Sequence, residues 1–237
     1  MKINDRLKKI GDLVEANSFC LDVGCDHALL DIYLVKKDKN IKAIASDVAE
    51  GPVDSAKQNI KILATDINQN PLEGAKLNIE KYNLQDKIKL AQKNGIENLD
   101  KEIDTIVIAG MGGILISNIL NNKKSLENIK NIIVAPNNDF PIVRKTINKL
   151  GFKIEKEELL TEKNITYLII KAIPGHERLN YFFGILDKNN QEVVNYYNKL
   201  LKVNNNILKK LPKKYIIKKR KLKKENKEIK NFLKLLD

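Results

Sequence analysis

The stretch from Phe19 to Ala28 constrains the fold of this chain more than any other segment. A short apolar run ends at Asp22, Gly24 follows two positions later, and a helix-like apolar run begins after Ala28. This order predicts a buried strand, a tight turn and a helix. In open parallel sheets, nucleotide-like ligands bind beside the ends of the first strands, where a glycine lets the backbone approach and a helix N-terminus offers free N–H groups. We therefore expect such a ligand at Gly24.

A second acidic residue supports the same site. Asp47 ends the next apolar run, residues 41–47, and lies 23 residues after Gly24. Dinucleotide-binding folds place an acidic side chain at about this separation, where it binds the ribose hydroxyls. The spacing predicts the same contact for Asp47.

Strand and helix patterns alternate from residue 19 to residue 151 and predict an α/β fold with a mostly parallel sheet. An amphipathic helix over 1–15 precedes them. The predicted strands after the first are 41–47, 87–92, 103–109 and 131–135, and the helices that follow the last two are about 114–120 and 141–150. Residues 152–160 and 165–172, separated by the turn 161–164, are predicted to form an antiparallel hairpin at the sheet edge.

Residues 41–60 recur as residues 60–79. Nine of the twenty aligned positions match, Asp47 with Asp66 and Pro52 with Pro71 among them. This is a local tandem duplication of one strand–turn–helix unit, since a solenoid needs at least three copies. Either both copies form strands or one is displaced as a helix and loop. We predict that the first copy keeps the ligand site, because Asp47 has the expected separation from Gly24.

The chain changes character after Pro174-Gly175. Beyond this point apolar residues recur at three- and four-residue steps, with an interruption at Pro212. The pattern predicts two antiparallel helices joined near 212–217 and packed as a short coiled coil. We expect a Rossmann-like domain over 1–174 and a basic helical domain over 175–237. The aromatic residues at 181–183 are expected to pack between the two.

Positive charge is concentrated in the second of these regions. The chain carries a net charge of +13, and residues 202–237 hold 14 Lys/Arg and 3 Asp/Glu, which is +11 of that total. A localised basic segment favours RNA or DNA by counterion release. An AT-rich genome would also raise the lysine content, but it would not confine the lysines to one end of the chain.

The remaining composition bears on the cellular compartment. No run of about 18 apolar residues and no apolar signal region is found, so we expect a cytoplasmic protein with no membrane partner. Cys20 and Cys25 fall on the first strand and its turn, and we expect two reduced thiols, with neither a disulfide nor a metal site.

Four strings resemble the bacterial tRNA (adenine-22-N1)-methyltransferase family when they are taken together with the basic helical hairpin: DVGCDHA, DVAEGPVDSAK, VIAGMGG and VAPNN. The resemblance covers nearly the whole chain, and the pairing of GCDHA with AGMGG is its specific part. Asp26 and Ala28 depart from the acidic-x-Gly-x-Gly-x-Gly pattern of S-adenosylmethionine-dependent methyltransferases, and the duplication departs from the family pattern. The resemblance implies a seven-stranded Rossmann-like domain, a C-terminal coiled coil, S-adenosylmethionine as donor and an adenine in the tRNA D-arm as target. We expect a monomer.

The same resemblance implies roles for individual positions. The donor-binding residues would be Gly24 and Asp26 at its methionine end, Asp47 at its ribose, and Asn94 and Gly95 at its adenine, together with Asp22, His27, Val48 and Ala109. Gly110 and Met111 occupy the place where methyltransferases hold the target base. The carbonyl groups of Ala109-Gly110 or the Asn137 amide could accept hydrogen bonds from the exocyclic amine, and Tyr167 is our candidate for an aromatic platform.

Other interpretations of these residues remain open. Asp22 could orient the turn, Asp26 could be an N-cap, and Asn137 could cap the helix that follows it. We favour a helix-start role over a general-base role for His27, because adenine N1 needs no deprotonation. The rival functions are methyl transfer to another substrate and RNA binding without catalysis. A nicotinamide dehydrogenase is disfavoured by the glycine spacing.

Overall fold

The structure is a computed structural model that describes residues 3–38, 40–47, 71–121 and 123–234. In these ranges the strands are β1 (Phe19–Val23), β2 (Lys42–Asp47), β3 (Ile88–Gln92), β4 (Thr105–Ala109), β5 (Asn131–Ala135), β6 (Phe152–Glu162) and β7 (Ile165–Pro174). The α-helices are α1 (Asp5–Asp12), α2 (Leu29–Lys37), α3 (Pro71–Lys81), α4 (Gly113–Leu120), α5 (Phe140–Lys149), α6 (Gln191–Lys210) and α7 (Ile216–Lys234). Short 3₁₀ turns cover Asp26–Ala28 and Lys123–Leu126. The predicted order of elements is confirmed in the described part of residues 19–151.

The strands form a seven-stranded sheet in the order β3-β2-β1-β4-β5-β7-β6. All neighbours are parallel except the pairs made by β7, which runs antiparallel between β5 and β6. The strand order reverses between β1 and β4, and open α/β sheets bind ligands beside the carboxyl ends of the strands at such a switch point. The topology therefore places a binding site at the ends of β1 and β4.

Helices cover both faces of the sheet. Apolar side chains of α1, α2 and α3 form one buried cluster with β1–β3, and those of α4, α5 and the base of the C-terminal hairpin form another. The central strands β4 and β5 have apolar sequences, TIVIA and NIIVA, because they are covered on both sides. Ile106 and Ile133, which lie on these strands, are fully buried.

The edge hairpin is longer than predicted. β6 and β7 extend to Glu162 and Ile165, which pair directly, so the turn has two residues rather than four. Both of them, Lys163 and Asn164, have positive φ angles of 49° and 67°. A two-residue turn with these angles matches the twist of the strands and allows pairing up to the turn.

In the described part of the chain, each copy of the duplicated unit contributes one element. β2 is the strand of the first copy, and α3 is the helix of the second copy, with Ala75 and Ile79 in the core. Whether the second copy also forms a strand depends on residues 60–70, which lie outside the described residues. Val48 lies outside them as well.

The C-terminal helices form the predicted antiparallel hairpin. At its middle, Asn204 Nδ2 donates to Asn226 Oδ1 over 3.0 Å, and Asn226 Nδ2 donates to Asn205 Oδ1 over 2.9 Å. Buried asparagines in helical pairs fix the register of the two helices. The sequence pattern of apolar steps gave no indication of this polar pair.

An aromatic cluster joins the hairpin to the sheet. Phe183 stacks on Phe232 with ring centroids 4.4 Å apart, and Tyr197, which is 1% exposed, contacts both rings. Beneath them Arg144 Nε donates to Glu157 over 2.6 Å, with both side chains buried. The predicted packing of the aromatic residues at 181–183 is thus observed, while the division into two domains at residue 174 stays a prediction.

Candidate active site

The carboxyl ends of β1, β2, β4 and β5 and the start of β7 surround one cavity of about 670 Å³. Ligand pockets usually have volumes of this order. The cavity is lined by eight of the residues predicted from the sequence: Asp22, Gly24, Asp47, Ala109, Gly110, Met111, Asn137 and Tyr167. Residues separated by up to 145 positions in the chain therefore meet at one edge of the sheet.

The turn after β1 requires a glycine. Gly24 has a φ of +78°, and a Cβ atom there would overlap Met111 Cε. The amides of Gly24 and Cys25 both donate to the Ser46 carbonyl oxygen, over 2.8 and 3.1 Å, and Ser46 Oγ donates to the Asp22 carbonyl oxygen over 2.9 Å. These bonds fix the ends of β1 and β2 to each other, so the turn offers a rigid backbone surface to a ligand.

A second carboxyl group lies behind Asp22. Asp31 is fully buried, and its side chain lies beside that of Asp22. Burial raises the pKa of Asp31 to about 7, and hydrogen bonds from its own backbone amide and with the Asp22 side chain oppose part of that rise. Two adjacent buried carboxyl groups cannot both ionise cheaply, so the pair shares a proton near neutral pH.

The His27 side chain points away from the cavity. His27 has a left-handed backbone, with a φ of 64°, and its imidazole packs against Gly74 of α3, where a Cβ atom would overlap it. Asn78 Nδ2 donates to the His27 carbonyl oxygen over 3.0 Å. The imidazole thus fixes the turn to α3, in keeping with a helix-start role. Asp26 begins the 3₁₀ turn, and its contact with a donor stays a prediction.

Asn94 and Gly95 follow β3 and do not line the cavity. Lys93 N donates to the Asp47 carbonyl oxygen over 3.0 Å, so this segment starts beside Asp47. Gly95 has a φ of +71° and faces Ile119. Contact between Asn94-Gly95 and a donor adenine stays a prediction.

The opposite end of the cavity is built on the turn after β4. Gly110 has a φ of +78°, Asn137 Nδ2 donates to its carbonyl oxygen over 2.8 Å, and Asn137 N donates to the Met111 carbonyl oxygen over 2.9 Å. The Asn137 side chain therefore joins β5 to the β4 turn and does not cap α5. Tyr167, near the start of β7, lines the same cavity.

Sequence reasoning missed the wall formed by α1. Asn4, Arg6 and Leu7 all line the cavity, and Arg6 Cζ lies 4.7 Å from the centroid of the Tyr167 ring. Helix α1 is held in this place by the Lys9–Glu158 ion pair, at 2.6 Å. The amphipathic pattern predicted the helix, but nothing local in the sequence indicated where it would pack.

The two cysteines are free thiols, as predicted, and both are buried. Burial raises the pKa of each thiol, with further contributions from nearby carboxylates that include Asp31. Both therefore stay protonated at neutral pH. Cys25 lines the cavity as a small apolar surface rather than as a nucleophile.

These features fit an S-adenosylmethionine-type donor. A glycine turn leaves the backbone open, Asp47 places a carboxylate where a ribose diol would lie, and the cavity continues to a second wall at Gly110 and Asn137.

In the part of the chain that the structure describes, no helix is long and apolar enough to cross a bilayer.

Comparison with known proteins gives the family. The family model described as tRNA (adenine(22)-N(1))-methyltransferase matches residues 60–237, and a general methyltransferase domain matches residues 3–63. The tRNA (adenine(22)-N(1))-methyltransferase of Bacillus subtilis is 30% identical over 183 residues, which cover 76% of this chain and 69% of that protein.

Solved structures match over the whole chain. A Streptococcus pneumoniae protein in complex with S-adenosyl-L-methionine is 27% identical, with a TM-score of 0.82 over 98% of this chain and 100% of the other. M. capricolum TrmK with bound S-adenosyl-homocysteine is 25% identical, with a TM-score of 0.81 over 100% of both chains. This chain belongs to the tRNA (adenine(22)-N(1))-methyltransferase family, and it transfers a methyl group from S-adenosylmethionine to N1 of adenine 22 in tRNA.

Proposed function

We propose that the donor and the target adenine share the cavity end to end. The donor lies along the ends of β1 and β2, with its ribose on Asp47 and its methionine end at Gly24. The target base enters between Gly110, Asn137 and Tyr167. The observation that carries this assignment is that one cavity is lined by residues from all these strand ends.

Positioning of the two reactants accounts for most of the rate of methyl transfer. S-adenosylmethionine supplies an activated methyl group, and adenine N1 is itself the nucleophile, so no side chain has to remove a proton before methyl transfer. The residues have to hold the two reactants in line and exclude water. The Gly110 carbonyl oxygen, which keeps a lone pair beyond its bond from Asn137, can accept a hydrogen bond from the exocyclic amine.

The target base must leave its stack before it can react, because N1 lies on its Watson–Crick edge. Extrusion costs a few kcal/mol. The Tyr167 ring lies at the target end of the cavity and would offset part of this cost by stacking on the adenine.

The basic hairpin is the proposed grip on the tRNA D-arm. Lysines on α6, the connection and α7 are exposed, and ion pairs there are weak, as in Lys221–Glu225 at 4.0 Å. An exposed surface of mostly unpaired cations binds a phosphate backbone by counterion release. We place the enzyme in the cytoplasm as a monomer that holds the D-arm with this surface.

Calorimetry with S-adenosyl-homocysteine tests the donor end. Asp47→Ala should abolish measurable binding, because it removes the carboxylate that accepts hydrogen bonds from the ribose hydroxyls. Asp66→Ala, its counterpart in the second copy, should leave the affinity within about twofold. Equal losses for both variants would contradict the assignment of the ribose to Asp47.

Mass spectrometry of methylated tRNA tests the target end and the grip. Asn137→Ala and Tyr167→Ala should lower kcat with S-adenosyl-homocysteine affinity unchanged. Replacement of Lys213, Lys214 and Lys218 by Gln should raise KM for tRNA, whereas the same change at the exposed Lys89, Lys101 and Lys145 should have little effect. Equal effects of the two triple variants would refute a specific grip by the hairpin.

A further inference from the structure

Helix α1 brings a cation to the target end of the cavity. Arg6 lies in its first turn, and the guanidinium carbon stacks 4.7 Å from the Tyr167 ring centroid. A Cβ atom on Gly110 would lie 3.8 Å from Arg6 Nη1. The guanidinium therefore contacts the same two residues that frame the proposed site of the target base.

This guanidinium has open hydrogen-bonding capacity. Within the described ranges it donates no hydrogen bond to the protein, and no carboxylate lies within ion-pair distance of it. Arginine carries five N–H donors in a planar fork and stays charged at all relevant pH values. A half-buried fork of this kind at a cavity wall favours an anion with two or more acceptor oxygens.

The two substrates supply two such anions, a tRNA phosphate and the carboxylate of the donor's methionine. Arg6 lies at the end of β4 and the start of β7, where it contacts the Tyr167 ring, whereas the proposed methionine end at Gly24 lies on the neighbouring strand β1. Its position next to Gly110 and Tyr167 therefore favours the phosphate that enters with the target nucleotide.

The position of Arg6 is set before any substrate binds. Asn4 caps α1 by accepting a hydrogen bond from Leu7 N over 2.8 Å, and Ile10 is fully buried on its inner face. At the other end, Glu15 pairs with Lys171 of β7 at 2.7 Å. A side chain on a helix fixed in this way loses less freedom on binding than one on a mobile terminus.

We propose that Arg6 is a specificity-determining residue for the RNA substrate, whose guanidinium binds the phosphate next to the target adenosine and holds the Tyr167 ring in place for the base. The planar group can do both, since it stacks by its face and donates by its edge. This inference rests on the proposed placement of the target base at Gly110, Asn137 and Tyr167.

Steady-state kinetics and calorimetry of three variants test the role. Arg6→Ala should raise KM for tRNA about ten- to a hundredfold, as expected for a lost charge-assisted contact, and leave S-adenosyl-homocysteine affinity within about twofold. Arg6→Lys should recover only part of the loss, because lysine keeps the charge without the planar fork. Lys8→Ala removes one exposed charge from the same helix and should change KM by less than about twofold.

A modified tRNA identifies the anion. The 5′ part of the tRNA is synthesised with an uncharged methylphosphonate on the 5′ or the 3′ side of adenine 22. One of the two substitutions should raise KM for the wild-type enzyme by the same factor as Arg6→Ala, and it should cause no further rise in that variant. Independent, multiplied losses would overturn the proposal, and so would a loss of S-adenosyl-homocysteine affinity as large as the loss for tRNA.

The same assays separate this inference from the placement on which it rests. If Asn137→Ala and Tyr167→Ala leave methylation unchanged, the target-end assignment fails together with the role of Arg6. If they lower kcat while Arg6→Ala behaves like Lys8→Ala, the base placement stands and the role of Arg6 alone is refuted.

Discussion

Replacement of Asp31 by asparagine should make the stability of this enzyme less sensitive to pH. Burial raises the pKa of Asp31 from 3.8 to about 7 in the folded protein. Because the folded pKa lies above the unfolded one, the folded state binds the proton more tightly. The contribution of this group to stability is therefore most favourable below pH 3.8, declines as the pH rises, and reaches its full cost above about pH 7.

The size of the effect follows from the shift. A rise of about 3 units corresponds to about 4 kcal/mol at 1.36 kcal/mol per unit, and this is an upper limit because the Asp22–Asp31 pair titrates as a unit. Asparagine does not titrate and can donate one N–H to Asp22. Its second N–H finds no partner, which lowers the free energy of unfolding of the variant by about 1–3 kcal/mol at every pH. The change with pH of the stability difference between variant and wild type, and not its absolute size, therefore tests the pKa of Asp31.

Urea unfolding at pH 5, 6, 7 and 8 measures this slope. The free energy of unfolding of Asp31→Asn relative to wild type should increase by roughly 1 kcal/mol per pH unit up to about pH 7 and then level off. A difference that is constant from pH 5 to pH 8 would show that Asp31 is ionised in the folded state, and the shared-proton pair would be refuted.

Asp12→Asn is the control of opposite sign. Partial burial raises the pKa of Asp12, but hydrogen bonds from Tyr33 and Lys37 outweigh it, so its folded pKa is lowered. Its contribution to stability is present above pH 3.8 and is lost as the pH falls through the folded pKa. Asp12→Asn should therefore lower stability by the same amount at every pH from 5 to 8.

Four further single substitutions have defined outcomes. Gly24→Ala and Gly95→Ala both put a Cβ on a backbone with positive φ and should each cost about 1–2 kcal/mol in urea unfolding. If Gly95 makes no donor contact, only Gly24→Ala should weaken S-adenosyl-homocysteine binding in calorimetry. Arg144→Met leaves the buried Glu157 charge without its partner and should lower the free energy of unfolding by about 3–5 kcal/mol, with wild-type activity per folded molecule as the check that the site is intact. Asn204→Leu leaves Asn226 Oδ1 in α7 without its donor and should cost about 1–3 kcal/mol, whereas simultaneous replacement of Asn204 and Asn226 by leucine should restore most of the loss.

The strand ends were predictable because each combines two independent signals. At β1 and β4 an apolar run long enough for a buried strand stops at a residue that permits a turn, Gly24 or Gly110. Parallel topology then brings these ends to one edge of the sheet without any knowledge of side-chain packing. The position of the cavity follows from this order alone, whereas the division into donor and target ends rests on the family resemblance.

The residues that sequence reasoning missed depend on tertiary packing. Arg6 reaches the cavity because α1 crosses to the β6–β7 hairpin, where Lys9 pairs with Glu158. Asp31 meets Asp22 because α2 returns over β1, and in the sequence it is one acidic residue in an otherwise apolar helix. Neither contact has a local pattern, so an amphipathic helix predicted correctly in its sequence range still leaves its partners undetermined.

The duplication shows how chain connectivity can decide between equivalent sequences. Both copies carry the same strand and helix signals, so local pattern cannot choose between them. Four residues, 38–41, connect α2 to β2, and six residues, 82–87, connect α3 to β3. Short connections of this length are usual between neighbouring elements of an α/β sheet. They place the strand of the first copy next to α2 and the helix of the second copy next to β3. Asp47 ends that strand and therefore lies at the cavity, which Asp22 also lines.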